Sequence, residues 1–314
     1  MYKIRLAMTP AVSICIPTYS QTEFLKQTLD SVVTQTYTDY ELIISDDSPH
    51  DSVEKLLEHY DFSGKLVYVK NELALGSPAN WNQAARLAKG QFIKFLHHDD
   101  GFSSPASLAE FVALIGKDSK VGIAFSGVNT QSAKDKSSEH HYASQKDLLS
   151  LKTDPMALML KNCIGPPSAT IIRREFFKEY REHLKWLVDI FQYGEILKDT
   201  HFTATQKPLI YSTSDAEHQV TQFFKRNPQL MLAEYLYFFD FFKKSDHKMA
   251  SPYSNYLAEL VLKNHIQTEA DIRQAGYAGP IPSQVEDVLG LSDYKKRQIL
   301  WMLRLKRKLH EFLL

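Results

Sequence analysis

Residues 12–96 alternate short β-branched runs with stretches of helical period, and this alternation restricts the fold more than any other property of the 314-residue chain. Val12–Ile16, Leu42–Ile44, Leu66–Val69 and Phe92–Leu96 read as strands. Between the first two, Glu23–Gln35 repeats Phe24, Leu25, Thr28, Leu29, Val32 and Val33 at a spacing that buries one helical face. Asp51–Tyr60 and Pro78–Ala88 fill the next two intervals in the same way, the latter closed by Lys89-Gly90. Strand and helix in regular succession predict an α/β domain on a largely parallel sheet.

Further along, Val121–Ser126 and Ala169–Ile172 predict two more strands, and Pro208–Ser212 a short one. Gly127–Lys146, rich in Ser, Lys and His, predicts a loop at the edge of a site. After about Gln219 helical patterns take over at Pro228–Phe242, Ser251–Ile266 and Pro282–Leu314. The expected division is an α/β domain over residues 1–218, with halves at 11–110 and 111–218, followed by a helical region over 219–314.

Composition narrows the partners. The chain's 37 Lys and Arg balance its 37 Asp and Glu, which leaves no overall electrostatic footprint for nucleic acid. A hydrophobic content of 44% is too high for a disordered chain. No stretch approaches the ~18 apolar residues of a membrane span, and the N-terminus lacks the pattern of a signal peptide. Cys15 and Cys163 support no disulfide framework, so a reducing, cytoplasmic setting is expected.

Ligands of open α/β sheets bind beyond the carboxyl ends of the strands. Here those ends carry Pro17-Thr18-Tyr19, Asp46-Asp47-Ser48 and His97-His98-Asp99-Asp100, which delivers four carboxylates and two imidazoles to one edge. Asp46, Asp47 and Ser48 are alternatively caps of the helix that follows. The four residues His97–Asp100 are too close in sequence to converge on one tetrahedral zinc ion.

The blocks Val12–Tyr19, Leu29–Tyr37, Glu41–Ser48, Gly76–Asn82, Ala88–Ile93 and His97–Asp100 together resemble the inverting family 2 nucleotide-sugar glycosyltransferases of the GT-A fold. The resemblance covers about residues 11–110 closely and extends more weakly to about 220. It implies a Rossmann-like, mostly parallel mixed sheet flanked by helices, with a helical C-terminal extension. It also implies a nucleotide-sugar donor, a UDP-sugar foremost, and a saccharide or lipid-linked saccharide acceptor of the kind used in bacterial cell-surface polysaccharide synthesis. The resemblance places the base and ribose against Pro17, Thr18 and Tyr19, with Asp47 reading the base edge beside Asp46. Asn82, His98 and Asp99 complete the implied nucleotide-sugar site. Asp99 and Asp100 would hold Mn²⁺ or Mg²⁺, whose charge offsets that of the departing diphosphate, and His218 would close over the diphosphate or the metal.

This chain departs from the family pattern at two positions. His97 stands where an aspartate is common, and Trp81 stands where an arginine often precedes the asparagine aligned with Asn82. The inverting reaction also needs a general base, and the resemblance places it at Asp189, in Lys185–Phe191. Asp189 is alternatively a helix-start carboxylate favoured by the helix dipole, and Glu195 and Asp199 are the other candidates for the base. No Arg-Trp dipeptide of the processive synthases occurs, which favours single addition. A glycosyltransferase-like protein without turnover, acting as a binding partner or scaffold, is the competing class. The basic, Trp- and Leu-containing stretch Lys295–Leu309 predicts an amphipathic helix. Such a helix makes peripheral contact with the inner face of a membrane, or packs on another copy or on the catalytic domain.

Overall fold

All seven residues of β1 (Val12–Thr18) are buried, as expected of a parallel strand covered on both faces. The computed structural model describes residues 9–132, 134–214, 227–243 and 252–312. Among these, residues up to 155 together with 162–214 form one compact unit, and 156–161 with 227–312 form another. The short segment 156–161 thus groups with the helical unit rather than with the chain around it.

In the first unit β1 lies between β2 (Tyr40–Asp46) and β4 (Phe92–Phe95), parallel to both, and β3 (Leu66–Lys70) extends the sheet beyond β2. Helices α1 (Thr22–Val33), α2 (Ser52–Leu57) and α3 (Ala79–Leu87) make the crossovers between these strands. Leu25, Leu29 and Val32 of α1 pack with Val12, Ile14, Ile16, Leu42 and Ile44 in the core. The register sets Thr18 beside Asp46, so β1 and β2 end together and their following residues emerge at one edge.

Past β4 the sheet becomes mixed. β8 (Thr170–Arg173) runs antiparallel to β4 and to β6 (Val121–Ser132), while β9 (His201–Ser214) runs parallel to β6. β5 (Asp100–Phe102), which apolar periodicity does not reveal in three residues, pairs antiparallel with the far end of β9. α4 (Ser107–Ile115), α5 (Gln145–Thr153) and α7 (Val188–Asp199) complete this unit.

Two sequence expectations change here. The segment expected as a loop is largely a hairpin, because β6 continues to Ser132 and pairs with β7 (Ser138–His141). All four residues of β7 are exposed, so the ladder's hydrogen bonds hold the strand without an apolar face to advertise it. The short strand expected at 208–212 is the end of β9, which begins at His201 and whose pairing with β6 shifts register three times.

The second unit contains α6 (Ala157–Leu160), α8 (Pro228–Phe242), α9 (Pro252–Lys263), α10 (Glu269–Gln274), α11 (Ser283–Glu286) and α12 (Asp293–Phe312). The helix expected over 282–314 is broken into α11 and α12. Between them Gly290 takes a φ of +71°, a left-handed conformation that ends a helix. Among the described residues no helix is long and apolar enough to cross a membrane.

Candidate active site

The edge where β1 and β2 end is tied together by carboxylates. Asp46 is fully buried. Its Oδ1 accepts from the Ser48 backbone N–H at 2.8 Å and the Ser48 hydroxyl at 2.5 Å, and its Oδ2 accepts from the Tyr68 hydroxyl at 2.9 Å. Asp47 Oδ1 accepts from Asn71 Nδ2 at 2.7 Å and the Leu75 N–H at 3.1 Å, while Oδ2 accepts from the Gly76 N–H at 2.8 Å. Asp47 therefore gathers the 71–76 loop onto the sheet edge, yet a carboxylate has about four lone-pair directions. One direction on Oδ2 is left for a ligand donor.

Pro17 and Thr18 are buried at this edge and Tyr19 is 53% exposed. The Thr18 carbonyl accepts from the Asp47 N–H at 3.0 Å, whereas its buried hydroxyl has no hydrogen-bond partner. Asn82 does different work. Its Nδ2 donates to the Tyr180 carbonyl at 2.9 Å and its Oδ1 accepts from the Tyr180 N–H at 2.8 Å, so the amide braces α3 against the 180 segment. The nucleotide contact implied by resemblance would have to compete with that brace.

The end of β4 has another character. A turn closed by the Asp100 N–H on the His97 carbonyl at 3.0 Å carries the chain from β4 into β5. The Thr28 hydroxyl of α1 lies 2.8 and 2.7 Å from the carbonyls of His98 and Asp100. Ser168 Oγ accepts from the His97 N–H at 2.9 Å, and the hydroxyls of Ser168 and Ser212 bond the Asp100 carboxyl. Gly101 permits the next contact, since a Cβ there would stand 2.2 Å from the Tyr211 ring.

One ligand atom each from His97, Asp99 and Asp100 lies within 4.8 Å of the others. Burial, and then the charge of Asp99, pushes the Asp100 carboxyl well above its usual range, and burial lowers His97. His97 Nε2 is buried without a hydrogen-bond partner. A neutral imidazole beside two carboxyls is a competent donor set for a divalent cation. An orphaned buried nitrogen and a carboxyl that burial pushes towards its neutral form are both what such an ion would relieve, so these residues fit a metal.

The two departures from the family pattern meet in space. The rings of Trp81 and His97 are 4.7 Å apart between centroids, and Trp81 also meets Tyr180 edge-on at 5.1 Å. The position read as a missing cation is therefore an aromatic wall behind His97. Beneath the same turn, Lys94 is fully buried in β4 and donates to the carbonyls of Phe95 and Ser168. Burial lowers its ammonium to about 7. Thr28, Ser168, Ser212 and Lys94 hold this turn and its strand, and no site role was read for them from the sequence. Only Lys94 carried a signal, as a charge inside an apolar strand.

Asp189 lies in the first turn of α7. Its Oδ1 accepts from the Ile190 N–H at 2.8 Å, and its Oδ2 accepts from Asn162 Nδ2 at 3.3 Å. Asn162 is itself held by the Gly165 N–H at 3.0 Å. Desolvation raises the carboxyl to about 6, against the lowering effect of these donors. Burial thus outweighs both the helix start and the hydrogen bonds, and leaves a carboxylate poised to take a proton near neutral pH. His218 lies outside the described residues.

The sequence model of Glycosyl transferase family 2 matches residues 13–181, more than half of the chain. The chain belongs to this family. It is 39% identical over 90 residues to the Escherichia coli UDP-Glc:alpha-D-GlcNAc-diphosphoundecaprenol beta-1,3-glucosyltransferase WfgD, covering 28% of this chain and 35% of that one. It is 37% identical over 101 residues to a poly(ribitol-phosphate) beta-glucosyltransferase of Bacillus spizizenii, covering 31% and 16%. The chain thus spans about a third or less of the length of these two relatives. Among solved structures, S. aureus TarS 1–349 in complex with UDP-GlcNAc aligns at a TM-score of 0.59 and 17% identity over 88% of this chain and 83% of that one. The mannosyltransferase PcManGT from Pyrobaculum calidifontis, in complex with GDP-Man and Mn²⁺, aligns at 0.54 and 15% over 95% and 85%. The mixed sheet with flanking helices is the GT-A fold of these neighbours.

Proposed function

We propose that this protein transfers a sugar from a nucleotide-sugar donor, a UDP-sugar in the first instance, to an acceptor hydroxyl with inversion. The observation that carries the reading is the pairing of a raised, half-buried carboxylate at Asp189 with the His97, Asp99 and Asp100 cluster on one sheet-based unit. The names of the E. coli and Bacillus relatives, which act on a diphosphate-linked lipid sugar and on poly(ribitol phosphate), support a saccharide or lipid-linked saccharide acceptor in bacterial cell-surface polysaccharide synthesis.

Asp99, Asp100 and His97 would hold a divalent cation, Mn²⁺ or Mg²⁺, which when bound supplies positive charge against the departing diphosphate. Asp189 accepts the acceptor hydroxyl's proton as that oxygen forms its bond to the anomeric carbon. The anomeric C–O bond breaks on the opposite side, and its electron pair leaves with the nucleoside diphosphate. Asn162 fixes the carboxylate of Asp189 for this step, while Thr28, Ser168 and Ser212 hold the His97–Asp100 turn. Pro17, Thr18, Tyr19 and the open side of Asp47 form the proposed base and ribose contact.

The test is a melting-temperature panel of UDP, GDP, dTDP and CMP, each with and without Mn²⁺. A metal-dependent rise with one nucleotide, accompanied by hydrolysis of its sugar conjugate, is expected. No rise with any nucleotide would discard the transferase reading in favour of a binding or scaffold role, the class that the departures at His97 and Trp81 permit.

A further inference from the structure

The helix α12 carries a solvent-facing apolar stripe that the reaction does not use. Tyr294, Trp301, Met302 and Leu305 are 67, 64, 48 and 45% exposed. Positions 294, 298, 301 and 305 follow one another at four, three and four residues, so they share one side of the helix. Another side is already fastened to its own unit. Lys296 is buried, and its Nζ donates to the Ile266 carbonyl at 3.2 Å and Gln267 Oε1 at 2.7 Å. The exposed stripe is therefore not the face that packs.

Charge says what the stripe meets. Residues 294–310 contain seven of the chain's 37 Lys and Arg, six of them besides the buried Lys296, and no Asp or Glu, which leaves 30 basic against 37 acidic residues elsewhere. Two such helices laid stripe to stripe would bring like charges together. An anionic lipid surface would instead neutralise them, repel the acidic remainder of the chain, and accept Trp301, Met302 and Leu305 at its headgroup boundary. Lys295 and Arg297 are exposed beside the stripe.

We propose that α12 is a docking surface for an anionic phospholipid bilayer, on which it lies in the plane of the interface. The argument stands on this helix alone and does not depend on the reaction proposed above.

The experiment is co-sedimentation of the full chain with phosphatidylcholine vesicles containing 30% phosphatidylglycerol and with vesicles of phosphatidylcholine only. Binding to the anionic vesicles that weakens steeply with salt is expected, with little binding to the neutral ones. The exposed pair Lys295→Gln and Arg297→Gln is expected to weaken binding about thirtyfold. Trp301→Asp with Leu305→Asp is expected to abolish it at an unchanged melting temperature, and if that variant does not fold the charge pair decides. Equal binding to neutral vesicles, or no effect of the charge pair, would overturn the proposal. A concentration-dependent dimer in light scattering that Trp301→Asp dissolves, without vesicle binding, would assign the stripe to a second copy.

Discussion

Asp46 and Asp47 at the end of β2, and Asp99 and Asp100 after β4, are paired carboxylates at strand ends on either side of β1, yet their surroundings differ. The β2 pair is surrounded by donors, six in all, from Ser48, Tyr68, Asn71, Leu75 and Gly76. At the β4 turn two serine hydroxyls serve Asp100, burial and Asp99 still drive it towards its neutral form, and the neighbouring His97 nitrogen is buried without a partner. The first end has nearly all its acceptors filled from within the fold, with one direction on Asp47 open, and the second keeps a buried nitrogen unfilled. A pair of aspartates after a strand therefore does not announce its role, and the supply of donors around it does.

The largest test of this contrast lies where the proposed chemistry lies. Asp189→Asn is expected to lower transfer by about 10²–10⁴-fold while leaving nucleotide affinity unchanged by calorimetry. Retained transfer would remove Asp189 from the mechanism. Next, Asp99→Asn is expected to weaken Mn²⁺ binding, followed by electron paramagnetic resonance, by more than the ~10–100-fold typical of losing an outer-sphere partner.

Asp46→Ala should do the reverse. It leaves the Ser48 N–H and the Ser48 and Tyr68 hydroxyls without their acceptor, and is expected to cost about 2–4 kcal/mol in urea denaturation. Its Mn²⁺ affinity should stay at the wild-type level, and weakened affinity there would break the contrast. The smallest effect concerns pH. With its carboxyl raised to about 6, Asp189 binds more protons folded than unfolded between about 4 and 6, so its stabilising contribution is present at low pH and is lost as pH rises through 6. Asp189→Asn is therefore expected to raise the melting temperature modestly at pH 8 and not at pH 4. The acid limb of kcat/KM near pH 6 should vanish in the same variant.

Much of the first half was legible before any coordinates. The four strands, the helices between them and the convergence of Thr18, Asp46 and His97 on one edge follow from patterns written in neighbouring residues. The hairpin formed by β6 and β7 was not legible, because an exposed strand such as Ser138–His141 has no apolar alternation to read. Nor was Trp81 interpretable by alignment, since its meaning is the ring of His97 against it.

By itself, then, the sequence determined the order of strands and helices and which carboxylates stand at strand ends, because hydrophobic periodicity and turn chemistry act within a few residues. Only the tertiary structure decided which carboxylates are supplied with donors and which are desolvated. The donors that bond Asp47 arrive from residues 71–76, those on Asp100 from Ser168 and Ser212, and the desolvation that raises Asp189 comes from everything packed around it. Proton affinity is a property of surroundings, and those surroundings exist only once distant segments have folded together.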